Sequence, residues 1–313
     1  MGRRPDEAEP LLTEAVAHLH LDLGRPDRAE SLFREARGST GRPTLVPTPT
    51  RTPCGRPSTW ACCSPIAGGS ARPNPYCGRR PASNPPRTDT PLMCGRYTFT
   101  MTAAELAEWY GVDPPADHAP RYNVAPSQLV AVVGRKAGTA RRGLVRMRWG
   151  FVPRWAADPD AGPKPINAKA ETVFTSPAFR LSARDRRCLL PADGFYEWAE
   201  VGGKKRAIHF RPAAVPVAFA GVWDVWRPAG GGDPLYTCAV VTVPANDAVR
   251  PFHHRMPAVL PAAAFAPWLD PAATPGLLAA LLRPYPLALS AAPVGPAVNS
   301  PRSDGPECLT PAA

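Results

Sequence analysis

The 313-residue chain has no apolar run approaching the roughly 18 residues that are needed to span a bilayer. Its first residues also lack the apolar segment of a secretory signal peptide. The eight cysteines are scattered and include no Cys-x-x-Cys pair, which argues against a disulfide scaffold and against a zinc site. We therefore predict a cytoplasmic protein with reduced thiols, without a metal or other cofactor, and without a membrane partner.

Lysine is absent from the first 93 residues, although that segment holds 13 arginines and 9 acidic residues. Much of the chain's excess of proline, which totals 43 residues, lies in the same segment. Apolar spacing predicts two short helices over residues 6–37, which resemble one tetratricopeptide-type helix pair without a second copy to pack against. Residues 38–91 have no periodicity and a composition typical of disorder. We interpret residues 1–92 as a mostly disordered, low-complexity extension, either a misassigned upstream segment or a removed leader, and residues 93–313 as the folded domain.

The charge of the folded part indicates the type of partner. The chain has a formal net charge of +11, and 24 basic against 17 acidic residues lie from residue 94 onward. A basic globular domain favours a polyanionic partner, although charge bears on association and not on chemistry. Nucleic acid is the leading candidate.

The stretch around which the rest is organised is Met93-Cys94-Gly95-Arg96. If translation begins at Met93 and this methionine is removed, Cys94 has a free α-amine beside its thiol. The reference pKa values, about 7.7 to 8.0 for the amine and about 8.5 for the thiol, make both groups usable near neutral pH. Such a 1,2-aminothiol can trap an aldehyde, because the amine forms a Schiff base and the thiolate then closes a thiazolidine ring. An internal cysteine cannot, since its nitrogen is a planar amide; the dipeptide alone is also consistent with an ordinary buried thiol.

Secondary-structure signals begin directly after this stretch. Residues 96–99 are a predicted strand, and Thr102 with Glu105 forms a capping box that opens a helix. Further strands are predicted at residues 129–133, 145–149, 188–191, 194–198, 207–211, 215–223 and 236–243. Gly202-Gly203 predicts a hairpin turn. Pro261 and Pro275 predict the starts of two short helices.

The sequence predicts a specific local structure for four further segments. Residues 121–126 are predicted as a loop. In residues 145–149 the alternation places Val145, Met147 and Trp149 on a core face, and Arg146 and Arg148 on a basic stripe on the other face. Residues 167–172 are compatible with a helix capped at its first polar residue. The tail, residues 298–313, is predicted as an extended strap.

Glu197 and the histidine pair His253-His254 are further candidate functional residues. Period two places Glu197 on the same strand face as Phe195, where an unpaired carboxylate is costly. A functional acid and a paired structural carboxylate both explain this position. His253 and His254 are adjacent and point in different directions in an extended chain, so we expect at most one to face a site while the other is solvated.

Four separated motifs occur in this order: Met93-Cys94-Gly95-Arg96, Asn167-Ala168-Lys169-Ala170-Glu171-Thr172, Gly194-Phe195-Tyr196-Glu197-Trp198 and His253-His254-Arg255-Met256-Pro257. Together they resemble the SRAP family, the SOS-response-associated peptidase or abasic-site processing proteins. Arg121-Tyr122-Asn123, residues 149–155 and Val298-Asn299 fit the same family. The likeness covers residues 94–309, and the order and spacing of the motifs make it specific.

The resemblance implies a protein that binds single-stranded DNA containing abasic sites and crosslinks itself to them through an N-terminal cysteine. In the family pattern Cys94 is the nucleophile, and Asn167 positions it and the sugar. Glu197 would relay protons for Schiff-base formation and reversal, and His253 would promote ring opening. We expect an α+β fold with a central mixed, partly closed β-core and short peripheral helices, acting as a monomer.

The same resemblance implies a set of DNA contacts. Arg96, Lys169 and Arg255 match basic positions that face the DNA backbone. Trp149 or Trp155 would stack on a flanking base. Lysine at position 169 replaces the usual arginine, which keeps the charge but loses the bidentate fork and weakens one phosphate contact.

Three other functions remain open. A thiol peptidase would use Cys94 and His253, with Glu197 or Asn167 as a third member, and could cleave its own chain before Cys94. An N-terminal-nucleophile amidotransferase would leave the basic face unexplained. A non-covalent module would coat single-stranded DNA and leave no covalent product. With 92 residues before Met93, the full-length chain is expected to be silent toward abasic DNA, since the α-amine does not exist.

Overall fold

The computed structural model describes residues 94–136, 139, 141–213 and 215–312. The predictions for residues 1–92, including the helix pair and the disordered segment, lie outside these residues. The described chain forms two β-sheets with a few short helices. This is the mixed α+β architecture that the sequence predicts.

The helices are short and lie between or after the strands. They are α1 (Ala103–Tyr110), α2 (Arg180–Asp185), α3 (Ala262–Leu269) and α4 (Pro275–Leu281), with 3₁₀ helices at Pro296–Asn299 and Pro306–Leu309. The predicted capping box begins α1, because Thr102 Oγ1 accepts the Glu105 N–H at 3.2 Å and the Glu105 carboxylate accepts the Thr102 N–H at 2.7 Å. Pro261 directly precedes α3 and Pro275 begins α4, so both proline predictions are confirmed. In the part of the chain that the structure describes, no helix is long and apolar enough to cross a membrane.

In chain order the strands are β1 (Arg96–Phe99), β2 (Arg121–Val124), β3 (Leu129–Arg135), β4 (Arg142–Trp149), β5 (Asn167–Lys169), β6 (Arg187–Ala192), β7 (Gly194–Val201), β8 (Lys204–Pro212), β9 (Val217–Trp226), β10 (Leu235–Pro244), β11 (Arg255–Pro257), β12 (Val259–Pro261) and β13 (Leu289–Val294). Eight of the thirteen strands in the described residues, β1, β3, β4 and β6 to β10, lie at the predicted strand segments. The β7–β8 hairpin turns at Gly202 and Gly203, whose φ angles of 60° and 71° lie in the left-handed region that glycine adopts without strain.

Two sheets form the frame of the molecule. The five-stranded sheet has the order β13-β8-β7-β1-β2 and is antiparallel. The eight-stranded sheet has the order β11-β10-β4-β3-β6-β9-β12, with β5 beside β10. Strands β9 and β10 also pair with each other, so β10, β4, β3, β6 and β9 close into a ring. Because β10 pairs in parallel with β4 and β5, the closed part is a mixed sheet, as expected.

The hydrophobic core joins the two sheets. Tyr97 on β1 packs edge-on against Trp149 and Phe219, with ring centroids 5.4 and 5.7 Å away. Trp149 and Phe219 belong to the ring, and all three side chains are almost fully buried. The first strand after Cys94 is therefore held against both layers by aromatic contacts, which fixes the position of its first residues.

Four local expectations are wrong, each because of pairing or packing. Residues 121–124 form strand β2 and not a loop, because they pair with β1. Val145 is 48% exposed, so its face of β4 is not a continuous core face, although Met147 and Trp149 on the same face are buried as predicted. Residues 167–169 form a strand beside β10, so Asn167 does not cap a helix. The tail contains two 3₁₀ helices that pack on each other and on the five-stranded sheet instead of an extended strap.

Candidate active site

Cys94 lies two residues before the start of β1, and its backbone N–H donates a 2.9 Å hydrogen bond to Oε1 of Glu197 on β7. Strands β1 and β7 are antiparallel, with Arg96 opposite Tyr196, so sheet pairing brings together two residues that are 103 positions apart. Both Cys94 and Glu197 are 3% exposed. The nitrogen that would be the α-amine of a chain beginning at Cys94 is thus held at a buried carboxylate.

The environment of Glu197 gives this carboxyl an affinity for protons near neutral pH. Burial raises the pKa of Glu197 to about 7, although His253 and the hydrogen bonds from Cys94 oppose the shift. A carboxyl with such a pKa is populated in both protonation states at neutral pH. Glu197 can therefore accept a proton in one step and return it in a later one.

His253 completes the cluster from the loop before β11. Its Nδ1 lies 3.9 Å from Oε1 of Glu197 and 3.1 Å from the backbone N–H of Arg255. The side chain is 10% exposed, and Nε2 is buried without a hydrogen-bond partner among the described residues. His254 is exposed, and its ring centroid lies 4.4 Å from that of His253. The prediction that only one of the two histidines faces a site is consistent with this arrangement.

The thiol of Cys94 is not activated in the described chain. Burial raises its pKa well above the usual value, and the charge of Glu197 raises it further. Arg255 acts in the opposite direction and lowers the pKa of the thiol. The sulfur of Cys94 is therefore not held as a thiolate in the described chain.

Both terminal nitrogens of the Arg255 guanidinium on β11 form hydrogen bonds. Arg255 donates to Oε1 and Oε2 of Glu171 at 2.5 and 3.0 Å, and to the carbonyl oxygen of Thr242 at 2.6 Å. Its side chain is only 10% exposed. The sequence predicts a backbone contact to DNA at this position, and any such contact has to share the arginine with Glu171.

Strand β5 places two predicted residues on the same face of the strand. Asn167 lies opposite Val240 of β10 and Lys169 lies opposite Thr242. Lys169 is exposed, and its charge lowers the pKa values of Glu171 and His254, although other contributions to both shifts are larger. Lys169 is therefore free to meet a polyanion, while the role of Asn167 stays a prediction.

Arg96 is tied to the C-terminal segment. Its Nη1 donates to Oδ1 of Asn123 at 2.9 Å and to the carbonyl oxygen of Val298 at 2.8 Å. The guanidinium also lies over the Trp198 ring, 5.6 Å from its centroid. These contacts anchor β1 two residues after Cys94, so a DNA contact by Arg96 would be additional to a structural role.

The two candidate tryptophans differ in exposure. Trp149 is 1% exposed, and its Nε1 donates to the carbonyl oxygen of Ile166 at 2.8 Å. The prediction that Trp149 stacks on a base is wrong, because the ring is enclosed in the core. Trp155 is 61% exposed and keeps the geometry required for stacking.

Sequence reasoning missed the partners that hold these residues. Glu171 lies inside the motif at residues 167–172, but the sequence predicts no specific role for it. Asn123 and Asp304 fasten the C-terminal segment to β2: Asn123 Nδ2 donates to the carbonyl oxygens of Ser300 and Ser303, and Asp304 accepts the Asn123 N–H. The sequence held no local signal for these contacts, because Asn123 becomes buried only through the pairing of β2 with β1 and through its contacts with the C-terminal segment.

The fold and site define an α+β protein with a cysteine nitrogen, a buried carboxylate and an imidazole in one cluster beside basic residues. Residues 93–301 match the SOS response associated peptidase (SRAP) family. The chain belongs to this family.

Individual relatives agree with the family match. The abasic site processing protein YoqW of Bacillus subtilis (strain 168) is 37% identical over 225 residues, which cover 69% of this chain and 99% of the relative. The abasic site processing protein HMCES of Gallus gallus is 34% identical over 265 residues, which cover 70% of this chain and 78% of the relative.

Solved structures share the fold. An X-ray structure of a Bacteroides thetaiotaomicron protein has a TM-score of 0.63 at 22% identity, and the match covers 70% of this chain and all of that one. A Bordetella bronchiseptica protein has a TM-score of 0.55 at 26% identity, and covers 64% of this chain and all of that one.

Proposed function

We propose that this protein processes abasic sites in single-stranded DNA and forms a thiazolidine crosslink with the sugar through Cys94. The observation that supports it most directly is the 2.9 Å contact between the Cys94 nitrogen and Glu197. Two relatives are named abasic site processing proteins, which supports the same substrate. The proposed place of action is the DNA damage response.

The working form in this proposal begins at Cys94. The segment that matches YoqW covers 99% of that relative and 69% of this chain, so a protein of about this length constitutes a complete relative. We therefore propose residues 93–313 as the functional domain. Removal of Met93 would convert the Cys94 nitrogen from an amide into a primary amine.

The first chemical step uses this amine. Its ammonium form transfers a proton to the Glu197 carboxylate, and the freed lone pair attacks the aldehyde carbon of the open abasic sugar. The resulting carbinolamine accepts a proton from the Glu197 carboxyl and loses water, which leaves an iminium ion. His253 lies beside Glu197 and would assist the opening of the closed sugar to the aldehyde.

The second step uses the sulfur. The thiol loses its proton to a nearby base, attacks the iminium carbon and closes the five-membered ring, so that the overall change is the loss of one water molecule. The iminium carbon is a stronger electrophile than the aldehyde, which suits a thiol whose pKa is raised by burial. Asn167 would orient the sugar and the cysteine in both steps.

Basic and aromatic side chains would hold the DNA. Lys169 is exposed beside the cluster, and Arg255 acts electrostatically on Cys94. Trp155 offers an exposed ring for a flanking base. Arg96 would add charge at the start of β1.

The test compares chains that begin at Met93 with the full 313-residue chain, each incubated with an abasic single-stranded oligonucleotide and run on a denaturing gel. We expect a covalent band only where mass spectrometry finds Cys94 as the first residue. A covalent band from protein that retains all preceding residues would overturn the mechanism.

Two variants distinguish the contribution of the Cys94 amine from that of its thiol. Cys94→Ser keeps the amine, so we expect no stable band without reductant and a trapped band when borohydride reduces the Schiff base. Cys308→Ser is the matched control, because Cys308 is another buried cysteine, whose Sγ–H donates to the carbonyl oxygen of Ser303 at 3.5 Å, a bond that serine can make.

A thiol peptidase is the second candidate, because Cys94, Glu197 and His253 lie in one cluster. The raised thiol pKa does not favour direct attack by sulfur on a peptide carbonyl. Peptide cleavage that persists when an extra residue blocks the Cys94 amine would favour this function over crosslinking.

A further inference from the structure

The ion pair between Arg255 and Glu171 has an asymmetric environment. Arg255 is 10% exposed in its side chain, whereas Glu171 is 49% exposed. The inner side of the guanidinium is fixed by Thr242, whose backbone oxygen and Oγ1 accept from Nη2 at 2.6 and 3.3 Å. The outer side is bound only by the two Glu171 oxygens among the described residues, and Nε has no hydrogen-bond partner there. A buried arginine is therefore capped by an acid that solvent can reach.

The geometry of this cap is that of a fork-to-fork contact. Oε1 of Glu171 accepts a hydrogen bond from Nη1 of Arg255, and Oε2 accepts one from Nη2. Arginine forms this bidentate arrangement with both carboxylates and phosphates. The hydrogen bond to Arg255 lowers the pKa of Glu171, so this group is an anion at neutral pH. The carboxylate occupies the position from which a phosphate would contact the arginine.

The surroundings favour a second anion at this place. Lys169 is exposed and its charge acts on Glu171, and His254 is exposed beside Arg255. Arg255 is also close enough to Cys94 to lower the pKa of its thiol. A DNA backbone that passes the cluster would therefore meet Lys169 and the capped side of Arg255 together.

We propose that Glu171 is a built-in substitute for a DNA phosphate, which holds Arg255 in its binding rotamer in the free protein and is displaced when a backbone phosphate binds there. This inference rests on the proposed DNA-binding function. Because the released Glu171 remains next to the incoming phosphate, it opposes every DNA ligand by like-charge repulsion. Glu171 thus lowers affinity while it preorganises the arginine.

The experiment measures equilibrium binding of an intact single-stranded oligonucleotide at several salt concentrations by the chain that starts at Met93, as wild type and as Glu171→Gln. We expect Glu171→Gln to bind about fivefold more tightly at low salt, because the half-exposed carboxylate no longer repels the incoming phosphate. We also expect its log–log salt dependence to steepen by roughly 0.7, because one more cation becomes available to release a counterion.

The matched control is Asp185→Asn on α2. Asp185 is half-exposed and accepts two hydrogen bonds of 3.0 and 3.1 Å from Arg184. Asp185→Asn changes the net charge of the protein by the same amount as Glu171→Gln. A second variant, Glu171→Gln combined with Arg255→Lys, tests whether the gain in affinity depends on Arg255, because lysine cannot form the bidentate contact with a phosphate. We expect this combination to lose most of the gain in affinity, and thermal melting checks that it is folded.

The outcomes distinguish failure of the Glu171 inference from failure of the proposed function. Equal tightening by Glu171→Gln and Asp185→Asn would reduce the effect to net charge and overturn the inference. Weaker binding by Glu171→Gln would mean that the acid only positions Arg255, which also overturns it. If the wild type and both variants fail to retain DNA, the proposed function falls as well; if the wild type binds and Glu171→Gln is not tighter, only this inference falls.

Discussion

The backbone nitrogen of Cys94 and Oε1 of Glu197 lie 2.9 Å apart because β1 and β7 are neighbours in one sheet. Strands hold side chains more rigidly than loops do, so this placement is suited to a reaction that needs an amine and its base in fixed geometry. The same carboxyl has a pKa of about 7 because it is buried. The pairing of β1 with β7 therefore sets the position of the Glu197 carboxyl at Cys94, and burial in an apolar strand sets its pKa.

Replacement of Glu197 by glutamine should slow crosslinking without loss of DNA binding. Glutamine keeps the shape and can accept the Cys94 N–H bond, but it cannot take up a proton. We expect Glu197→Gln to reduce the single-turnover rate by about 10²-fold, the usual contribution of a positioned acid–base group. In the wild type the rate should rise with pH through about 7 as the carboxyl ionises, and this inflection should be absent from the variant.

Glu200→Gln is the control, because Glu200 is exposed on the same strand. Its rate and pH profile should match those of the wild type. An unchanged inflection near pH 7 in Glu197→Gln would assign the titration to another group.

His209 should make the fold sensitive to acid. Burial lowers the pKa of His209 from 6.5 to about 4, and its Nε2 lies 3.3 Å from the Thr98 hydroxyl. The unfolded chain takes up this proton at higher pH than the folded one, so stability is full above about 6.5 and falls as pH decreases toward 4. The loss from this group is on the order of 3 kcal/mol. Urea unfolding at pH 7 and 4.5 should show a smaller difference for His209→Phe, which keeps a ring against Tyr196.

Glu197 opposes this dependence over an overlapping range. Its folded pKa is raised from 4.5 to about 7, so its contribution is full below 4.5 and is lost as pH rises through 7. Glu197→Gln should therefore gain stability at pH 7 and lose more than the wild type on acidification. Parallel pH–stability curves for the wild type, His209→Phe and Glu197→Gln would contradict both assignments.

The sequence could predict the elements better than their partners. Apolar alternation and proline placement located most of the strands and helices, and the motif containing Glu197 identified an acid that the structure puts at Cys94. The strand character of residues 121–124 could not be read locally, because it depends on pairing with β1. The burial of Trp149, in contrast, could be predicted locally, because the alternation in residues 145–149 places it on the core face, and only the base-stacking role implied by the family resemblance was wrong. Contacts distant in sequence therefore decided the strand pairing of residues 121–124, whereas a local pattern decided which way Trp149 faces.

Gly194 should be intolerant of a side chain. A Cβ at this position would lie 2.3 Å from His209 Nε2 and 2.8 Å from the carbonyl oxygen of Phe210. The backbone oxygen belongs to the β7–β8 pairing, so it cannot move without a change in the register around Glu197. We expect Gly194→Ala to lose about 2 kcal/mol of stability and to crosslink more slowly.

Gly230→Ala provides the comparison, since no atom lies within 4 Å of the added methyl group. Chemical denaturation and crosslinking rates should leave this variant near the wild type. Equal stability of the two alanine variants would show that β7 and β8 accommodate the extra carbon.

Trp155 should contribute to DNA affinity and little to stability. The ring is 61% exposed, and stacking on one base is worth about 1 to 3 kcal/mol. We expect Trp155→Ala to weaken binding of a single-stranded oligonucleotide by roughly tenfold and to leave the melting temperature nearly unchanged. Leu129→Ala removes an equally exposed side chain that cannot stack in this way, and an equal loss of affinity there would exclude specific stacking by Trp155.

Asp304 should hold the C-terminal segment against β2. Its Oδ1 accepts the N–H groups of Tyr122 and Asn123 at 2.8 and 2.7 Å, and its other oxygen accepts from Arg121. Asp304→Ala leaves these donors without their acceptor, which should cost about 2 to 3 kcal/mol of unfolding free energy. Chemical denaturation measures this loss, and Glu307→Ala, at an exposed acid in the same segment, should have little effect.

The effect of Asp304→Ala should also reach Cys94, the proposed nucleophile. Arg96 depends on Asn123 and on the Val298 carbonyl, so release of the segment removes the anchor of β1 two residues after Cys94. Hydrogen exchange should therefore accelerate at residues 96–99 in Asp304→Ala, and the crosslinking rate should fall at saturating DNA with little change in affinity. Faster exchange confined to the tail, with a normal crosslinking rate, would show that β1 is held by its core contacts alone.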